Sequence, residues 1–370
     1  MGTNTQRIAG VALAVALAVP VAPAVAAETG DHAAVQTMLD RFQRKAGPGA
    51  AVHAGDGQGS WSLSSGSATT PGQRPITADD HFRIASQTKT FTAAVVLQLF
   101  DEGLVDLDAP IERYLPGVVT GNYDGTVITV RRLLNHTAGF PHDPAGAKTK
   151  PDGTYDLATL VQAAMDDKPV SAPGAYHYSN VGYLVLGLLI EKLTGKYVGD
   201  AITERIIAPA GLTETSFPPP GKRTITSPYL PGYQGFQFGG AYFWVDMTTS
   251  FELSKWSSSA AMESTLTDLA KFYRALVSGT IVSPKALAEM RTVVPWTPGS
   301  PAGYGLGQFS LQLSCGGVAW GHDGSLPTGH ASLTLATDDG RFASVVTNTN
   351  QLPTDPSAID VANAALCEGR

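Results

Sequence analysis

Strand-like runs stand at the two ends of this chain and helical runs fill its middle, and that distribution restricts the fold more than any single motif does. Near the amino end, Ala50 to Ala54 and Trp61-Ser62-Leu63 flank the turn-rich Gly55-Asp56-Gly57-Gln58-Gly59 and read as a hairpin. Near the carboxyl end, Ser310 to Leu313, Gly317 to Trp320, Ala331 to Ala336 and Ala343 to Asn348 are short apolar or alternating runs. Asp338-Asp339-Gly340 marks a hairpin turn between the last two. Helical spacing predicts helices over Asp31 to Lys45, Leu157 to Met165, Val181 to Leu193, from Ser264 through Leu276, and over Pro284 to Met290. Between Leu107 and Leu253 strand signals are sparse. The economical solution is an α+β fold: one antiparallel sheet built from both chain ends, flanked by helices, with a mostly helical region inserted. This predicts an α/β part over about 28–105 and 254–370 and a helical insertion over about 106–253.

At 370 residues and 43% hydrophobic content the chain can bury a large core. Its net charge of −7 comes without a long basic run, so the electrostatic footprint of nucleic-acid binding is missing. Arg7, an apolar run from Ile8 to Val19, and the small residues ending in Ala24-Val25-Ala26-Ala27 have the layout of a secretory signal over 1–27. The expectation is an exported protein, maturing near Ala27 or Glu28, without a membrane anchor. Cys315 and Cys367 are the only cysteines, and an even pair in an exported chain predicts one disulfide.

Ser86 and Lys89 sit three residues apart where an apolar helical pattern begins, in Ile84-Ala85-Ser86-Gln87-Thr88-Lys89. That spacing stacks the two side chains one turn apart on one helix face. A desolvated lysine amine there can take the serine proton, which makes Ser86 the candidate nucleophile. The spacing alone is weak, because a capping serine followed by a solvated lysine is ordinary surface chemistry. The helix that follows, through Phe91, Ala94, Val95, Leu97 and Leu99, is apolar on most sides and reads as a central one.

Two further clusters strengthen the reading. Tyr178-Ser179-Asn180 precedes the helix from Val181; a tyrosine hydroxyl beside a lysine cation, which favours phenolate, is a plausible proton relay, and Asn180 can donate to a substrate carbonyl and accept from a lysine. Taken alone they read as a buried aromatic and a helix cap. Gly321-His322-Asp323-Gly324 follows an apolar run, which predicts His322 at a strand end with glycines that allow close backbone approach. His53-Ala54-Gly55 is a rival for the same short pattern. No histidine or cysteine spacing favours a metal, and Gly-x-Ser-x-Gly is absent.

Ser86-x-x-Lys89, Tyr178-x-Asn180 and His322-x-Gly324, in that order and at wide spacing, resemble the three signature elements of the serine β-lactamase and penicillin-binding-protein superfamily. The likeness is to class C β-lactamases and secreted D-alanyl-D-alanine carboxypeptidases, and it extends to Leu133-Leu134-Asn135-His136-Thr137-Ala138-Gly139 and Gly303-Tyr304-Gly305-Leu306-Gly307. It implies the β-lactamase/transpeptidase-like fold and an acyl-enzyme mechanism with Ser86 as nucleophile and Lys89 and Tyr178 moving its proton. The backbone amides of Ser86 and of a strand residue after Gly324 would form an oxyanion hole. Asn180, His322, Asp323 and Gly324 would contact substrate, with His322 replacing the lysine of many relatives. No metal or organic cofactor is implied; the implied partners are a peptide, amide or ester substrate and β-lactams as covalent ligands, on a monomer.

Two departures separate this sequence from the carboxypeptidase pattern. Asp323 stands where a threonine or serine is usual, and Gln308-Phe309-Ser310-Leu311-Gln312 contains no cation. Both usual residues help hold a substrate carboxylate, so a substrate with an amide, an ester or an amino-terminal D-residue is the second expectation. A catalytically idle penicillin sensor is the third, opposed by the intact Ser86, Lys89 and Tyr178 set. Glu263 either adds negative charge near the cleft or is a surface residue.

Overall fold

The structure is a computed structural model that describes residues 32–239, 241–297, 299–300 and 302–370, together with Met1 and Gly2. The secretory pattern over 1–27 lies outside the described stretch.

Helix α1 (Ala33–Ala46) leads into the hairpin of β1 (Gly49–Gly55) and β2 (Ser60–Gly66), then the short β3 (Phe82–Arg83) and α2 (Thr88–Asp101). The middle holds α3 (Val130–Leu134), α4 (Leu157–Met165), α5 (Asn180–Thr194) and α6 (Val198–Ile202), then a two-stranded ribbon of β4 (Tyr233–Phe238) and β5 (Ala241–Asp246). Next come α7 (Ser257–Ala260), β6 (Glu263–Ser264), α8 (Leu266–Val277) and α9 (Pro284–Met290). The chain closes with β7 (Val294–Pro295), β8 (Gly303–Tyr304), β9 (Phe309–Gln312), β10 (Val318–Leu326), β11 (His330–Thr337), β12 (Phe342–Thr347) and α10 (Ala358–Leu366).

Eight strands form one sheet in the order β2-β1-β12-β11-β10-β9-β8-β7, all neighbours antiparallel. The amino-terminal hairpin docks on the last strand, as the distribution of strand signals predicts. Because side chains alternate faces, Val52, Leu333 and Val345 pack under α1 and α10 with Leu39, Phe42 and Val361. Ala51, Ala336 and Val346 face the other way, into the larger core with Leu269 and Phe272 of α8. Strands β11 and β12 are buried throughout, so they read as continuous apolar runs.

Helix α2 is central, as predicted, with 11 of its residues buried and Phe91 stacked on Phe272 at 3.7 Å. Cys315 and Cys367 form a disulfide that ties the start of β10 to the end of α10.

Three features differ from expectation. Strand β10 does not end at Trp320; it runs through His322-Asp323-Gly324 to Leu326 and pairs with β11 throughout. Its glycines, which weaken the strand signal, are there because neighbours press close: a Cβ on Gly321 would lie 1.8 Å from the Thr334 carbonyl oxygen. The ribbon β4–β5 was not expected, since Phe236, Phe238 and Phe243 are exposed and mark no core-facing side, Phe238 being 81% exposed. Helix α10 was also not expected, although Ser357 and Asp360 form a reciprocal capping box that marks its start.

Candidate active site

Ser86 lies on a single 3-10 turn, Ala85–Gln87, directly ahead of α2. Ala85 adopts φ 52°, a left-handed conformation costly for a residue with a Cβ, and it turns the chain sharply before the serine. One helical turn on, Lys89 is wholly buried, and its Nζ lies 3.1 Å from Ser86 Oγ, 2.6 Å from Asn180 Oδ1 and 3.1 Å from the Ser259 carbonyl. The last two partners only accept. A neutral amine therefore donates its two protons to them and directs its lone pair at Ser86. Burial lowers the Lys89 pKa from 10.5 to about 7, with the charges of Asp143 and Asp323 opposing the fall.

The Tyr178 side chain interacts with that of Ser86, and Lys89 Nζ is 4.8 Å from its ring centre. Burial first, and then the Asp323 charge, push its phenol well above the ordinary value. The phenolate inferred from a neighbouring cation is thus not favoured: desolvation outweighs attraction to a lysine that is itself losing its charge. His136 clamps the tyrosine from behind. Its carbonyl accepts from His177 N at 2.8 Å, its Nδ1 accepts from Ser179 N at 3.1 Å, and its ring lies 4.3 Å from the Tyr178 ring. Ser179 caps α5 by accepting from Gly182 N, so Asn180 is the first helical residue rather than the cap. Asn180 Nδ2 donates to Asp143 Oδ1 at 2.8 Å.

On the facing strand Gly324 presses against the serine turn. A Cβ there would lie 2.2 Å from the Ile84 carbonyl oxygen and 3.0 Å from Ser86 N. His322 is fully buried behind Tyr178 and Tyr304. Its Nδ1–H donates to the Asp323 carbonyl, which leaves Nε2 to accept from Tyr304 hydroxyl at 2.8 Å. Burial lowers its pKa to about 4, so it is neutral at pH 7 and does not replace the lysine charge of relatives. The Asp323 side chain is 62% exposed and lines a cavity of about 280 Å³ beside Tyr178 and Gly324. The remaining wall is mostly apolar, with Tyr176, Trp296, Phe309, Leu333, Val345 and Ile359 beside the hydroxyl residues Ser332, Thr347 and Ser357, and no lysine or arginine is among its described lining residues.

The three sequence elements therefore meet around Ser86. The rival His53 does not; it sits on β1 with its Nδ1 2.9 Å from Ser62 Oγ. Glu263 is neither a surface residue nor a free charge of the cleft. It is buried and engages Arg83 at 3.3 Å, Lys222 at 3.3 Å, Ser216 at 3.0 Å and Thr226 at 2.7 Å. Sequence reasoning missed Asp143, Ser259 and the clamp role of His136. Ser259 acts through its backbone and leaves no side-chain signal, whereas His136 lies within a segment already noted for its resemblance.

Residues 33–367 match the Beta-lactamase family. The chain is 29% identical over 331 residues to unguisins hydrolase ungD' of Aspergillus campestris, covering 85% of this chain and 60% of that protein. It is 35% identical over 144 residues to penicillin-binding protein 4 of Amycolatopsis lactamdurans, spanning 37% of that protein's length. Among solved structures, a D-stereospecific amidohydrolase from Streptomyces sp. superposes with a TM-score of 0.77 at 39% identity, covering 87% of this chain and 95% of the other. D-amino acid amidase from Ochrobactrum anthropi SV3, complexed with D-phenylalanine, gives 0.79 at 28% identity, covering 92% and 100%. The chain belongs to the beta-lactamase family, within the superfamily of serine β-lactamases and penicillin-binding proteins.

Proposed function

We propose that the protein is an amide hydrolase that forms an acyl-enzyme on Ser86 and prefers substrates whose acyl part is a D-amino acid with a free α-ammonium group. The observation that carries the reading is Asp323, an exposed carboxylate on a largely apolar cavity wall that also includes Tyr178 and Gly324. A carboxylate there attracts an ammonium and repels a carboxylate. A D-stereospecific amidohydrolase and a D-amino acid amidase among the structural neighbours support this substrate class. The carboxypeptidase reading keeps the nucleophile but requires an anchor for a terminal carboxylate, and the cavity offers no cation among its described residues.

In this mechanism Ser86 Oγ attacks the amide carbon while its proton passes to neutral Lys89. The lysine then returns a proton through the Tyr178 hydroxyl to the leaving nitrogen, so the amine departs neutral and the ester remains on Ser86. Ser86 N–H and a backbone amide beyond Gly324 hold the oxyanion. Water repeats the sequence to release the D-amino acid. We further propose that the protein is exported, in keeping with its amino-terminal pattern and the Cys315–Cys367 disulfide; a secreted form whose first residue lies near Ala27 tests this, and one retaining Met1 refutes it.

Comparing D-phenylalanine amide with its N-acetyl derivative tests the substrate reading. A charge-assisted bond of about 1.5 kcal/mol predicts roughly a tenfold kcat/KM advantage for the free amine. Asp323→Asn should remove it. Preference for a D-Ala-D-Ala peptide over its C-terminal amide would instead establish the carboxypeptidase reading.

A further inference from the structure

We propose that Asp143 is a positioning residue for acylation: by accepting from Asn180 Nδ2 it orients the Asn180 carboxamide so that Oδ1 faces Lys89 and the lysine lone pair faces Ser86. The proposal rests on Ser86 acylation but not on any particular substrate.

The argument is one of hydrogen-bond polarity. A carboxamide has one accepting and one donating end, and packing alone does not distinguish them. Were Asn180 reversed, its NH2 would point at the amine and its oxygen at a carboxylate. Both contacts would then fail. Lys89 would have only the Ser259 carbonyl as a fixed acceptor, and its lone pair would be drawn to the Asn180 NH2 instead of Ser86. The carboxylate of Asp143, an acceptor on both oxygens, excludes that reversal. Its Oδ1 is 2.8 Å from Asn180 Nδ2 and its Oδ2 is 2.7 Å from His142 Nδ1.

The backbone around Asp143 is fastened to the start of α5. Ser179 Oγ donates to the Pro141 carbonyl at 2.6 Å, and Asn180 N donates to the His142 carbonyl at 2.8 Å. Three consecutive residues, 141–143, thus hold the two residues after Tyr178. Burial by itself would raise the Asp143 carboxyl, but hydrogen bonds from His142 and Asn180, with the charges of His142 and Lys255, hold it below the usual carboxylate range. It is therefore an acceptor at neutral pH. Around Lys89 the titratable neighbours are Asp143, Asp323, His136, His322 and the Tyr178 and Tyr183 rings; the two carboxylates favour the ammonium through their charge and the two ring faces through cation–π attraction, whereas the histidines oppose it.

Asp143→Asn keeps an acceptor for Asn180 but removes the charge, whereas Asp143→Ala removes both. The probes are fluorescent penicillin and a nitrophenyl ester with a neutral acyl group, so that ammonium binding plays no part; Ser86→Ala is the blank. We expect Asp143→Ala to lose about tenfold to a hundredfold in the acylation rate constant, a general-base misalignment. Asp143→Asn should stay within about fivefold at the plateau while the acid limb of its pH profile moves to lower pH, because a charge that raises Lys89 has gone. Thermal unfolding confirms that each variant is folded. Wild-type acylation in Asp143→Ala overturns the proposal, and so does an unmoved acid limb in Asp143→Asn, which decides the matter if the alanine variant does not fold. Absence of labelling in the wild type would instead refute the nucleophile.

Discussion

Substituting Gly324 by alanine should cripple acylation without removing any group that carries chemistry. The added Cβ falls 2.2 Å from the Ile84 carbonyl oxygen, about 1.2 Å short of the 3.4 Å at which ordinary contact begins, and 3.0 Å from both Ala85 Cβ and Ser86 N. None of these is the flexible end of a side chain. Either β10 retreats or the strained turn that carries Ser86 moves, by about an ångström. Overpacking of this kind costs about 1–3 kcal/mol of stability, so the variant should fold with a lower urea midpoint. A displacement of about 1 Å at a reacting centre costs on the order of a hundredfold in rate. Stopped-flow acylation by a chromogenic ester measures that loss, with Gly57→Ala as the control because a Cβ there meets nothing within 4 Å. If Gly324→Ala acylated within about threefold of the wild type, roughly 0.6 kcal/mol, the close approach of β10 to the nucleophile would not matter to the chemistry.

Four other outcomes follow from the same geometry. Lys89 acts as a base only when neutral, so kcat/KM should rise with pH through about 7 and level off above it; a flat profile from pH 5 to 8 would contradict the assignment. The same depressed pKa makes its contribution to stability grow with pH between about 7 and 10.5, where the unfolded chain holds a proton that the native one lacks. Glu263→Ala leaves the buried Arg83 guanidinium without its main counter-charge and should cost about 3–5 kcal/mol in urea unfolding, and a loss under about 1 kcal/mol would show the pair to be dispensable. Replacing both Cys315 and Cys367 by serine opens a 52-residue loop and should cost about 4 kcal/mol in the chain-entropy account, with no change in plateau acylation of the folded protein.

The sheet and the nucleophile were legible because each rests on local pattern. Alternation marks the strands, and a three-residue spacing puts Ser86 and Lys89 on one helix face, where they indeed lie 3.1 Å apart. The extension of β10 was hidden by glycines whose purpose, close contact with Thr334 and Ile84, exists only in three dimensions. Glu263 illustrates the same limit: its partners Arg83, Ser216, Lys222 and Thr226 come from distant segments, and nothing local distinguishes it from a surface glutamate. Asp143 stands 37 residues before the asparagine it orients, at a position that reads as an ordinary loop. The histidine of the last motif reads as a replacement for the lysine of many relatives, but whether it is charged depends on burial, which is not written in the residue type.

The central claim is that Ser86 becomes covalently acylated. Intact mass after exposure to a β-lactam or an activated D-aminoacyl ester should show one adduct per chain, located by peptide mapping to the segment containing Ser86 and missing from Ser86→Ala. An adduct that persisted in Ser86→Ala, or turnover of acyl substrates by that variant at the wild-type rate, would contradict it.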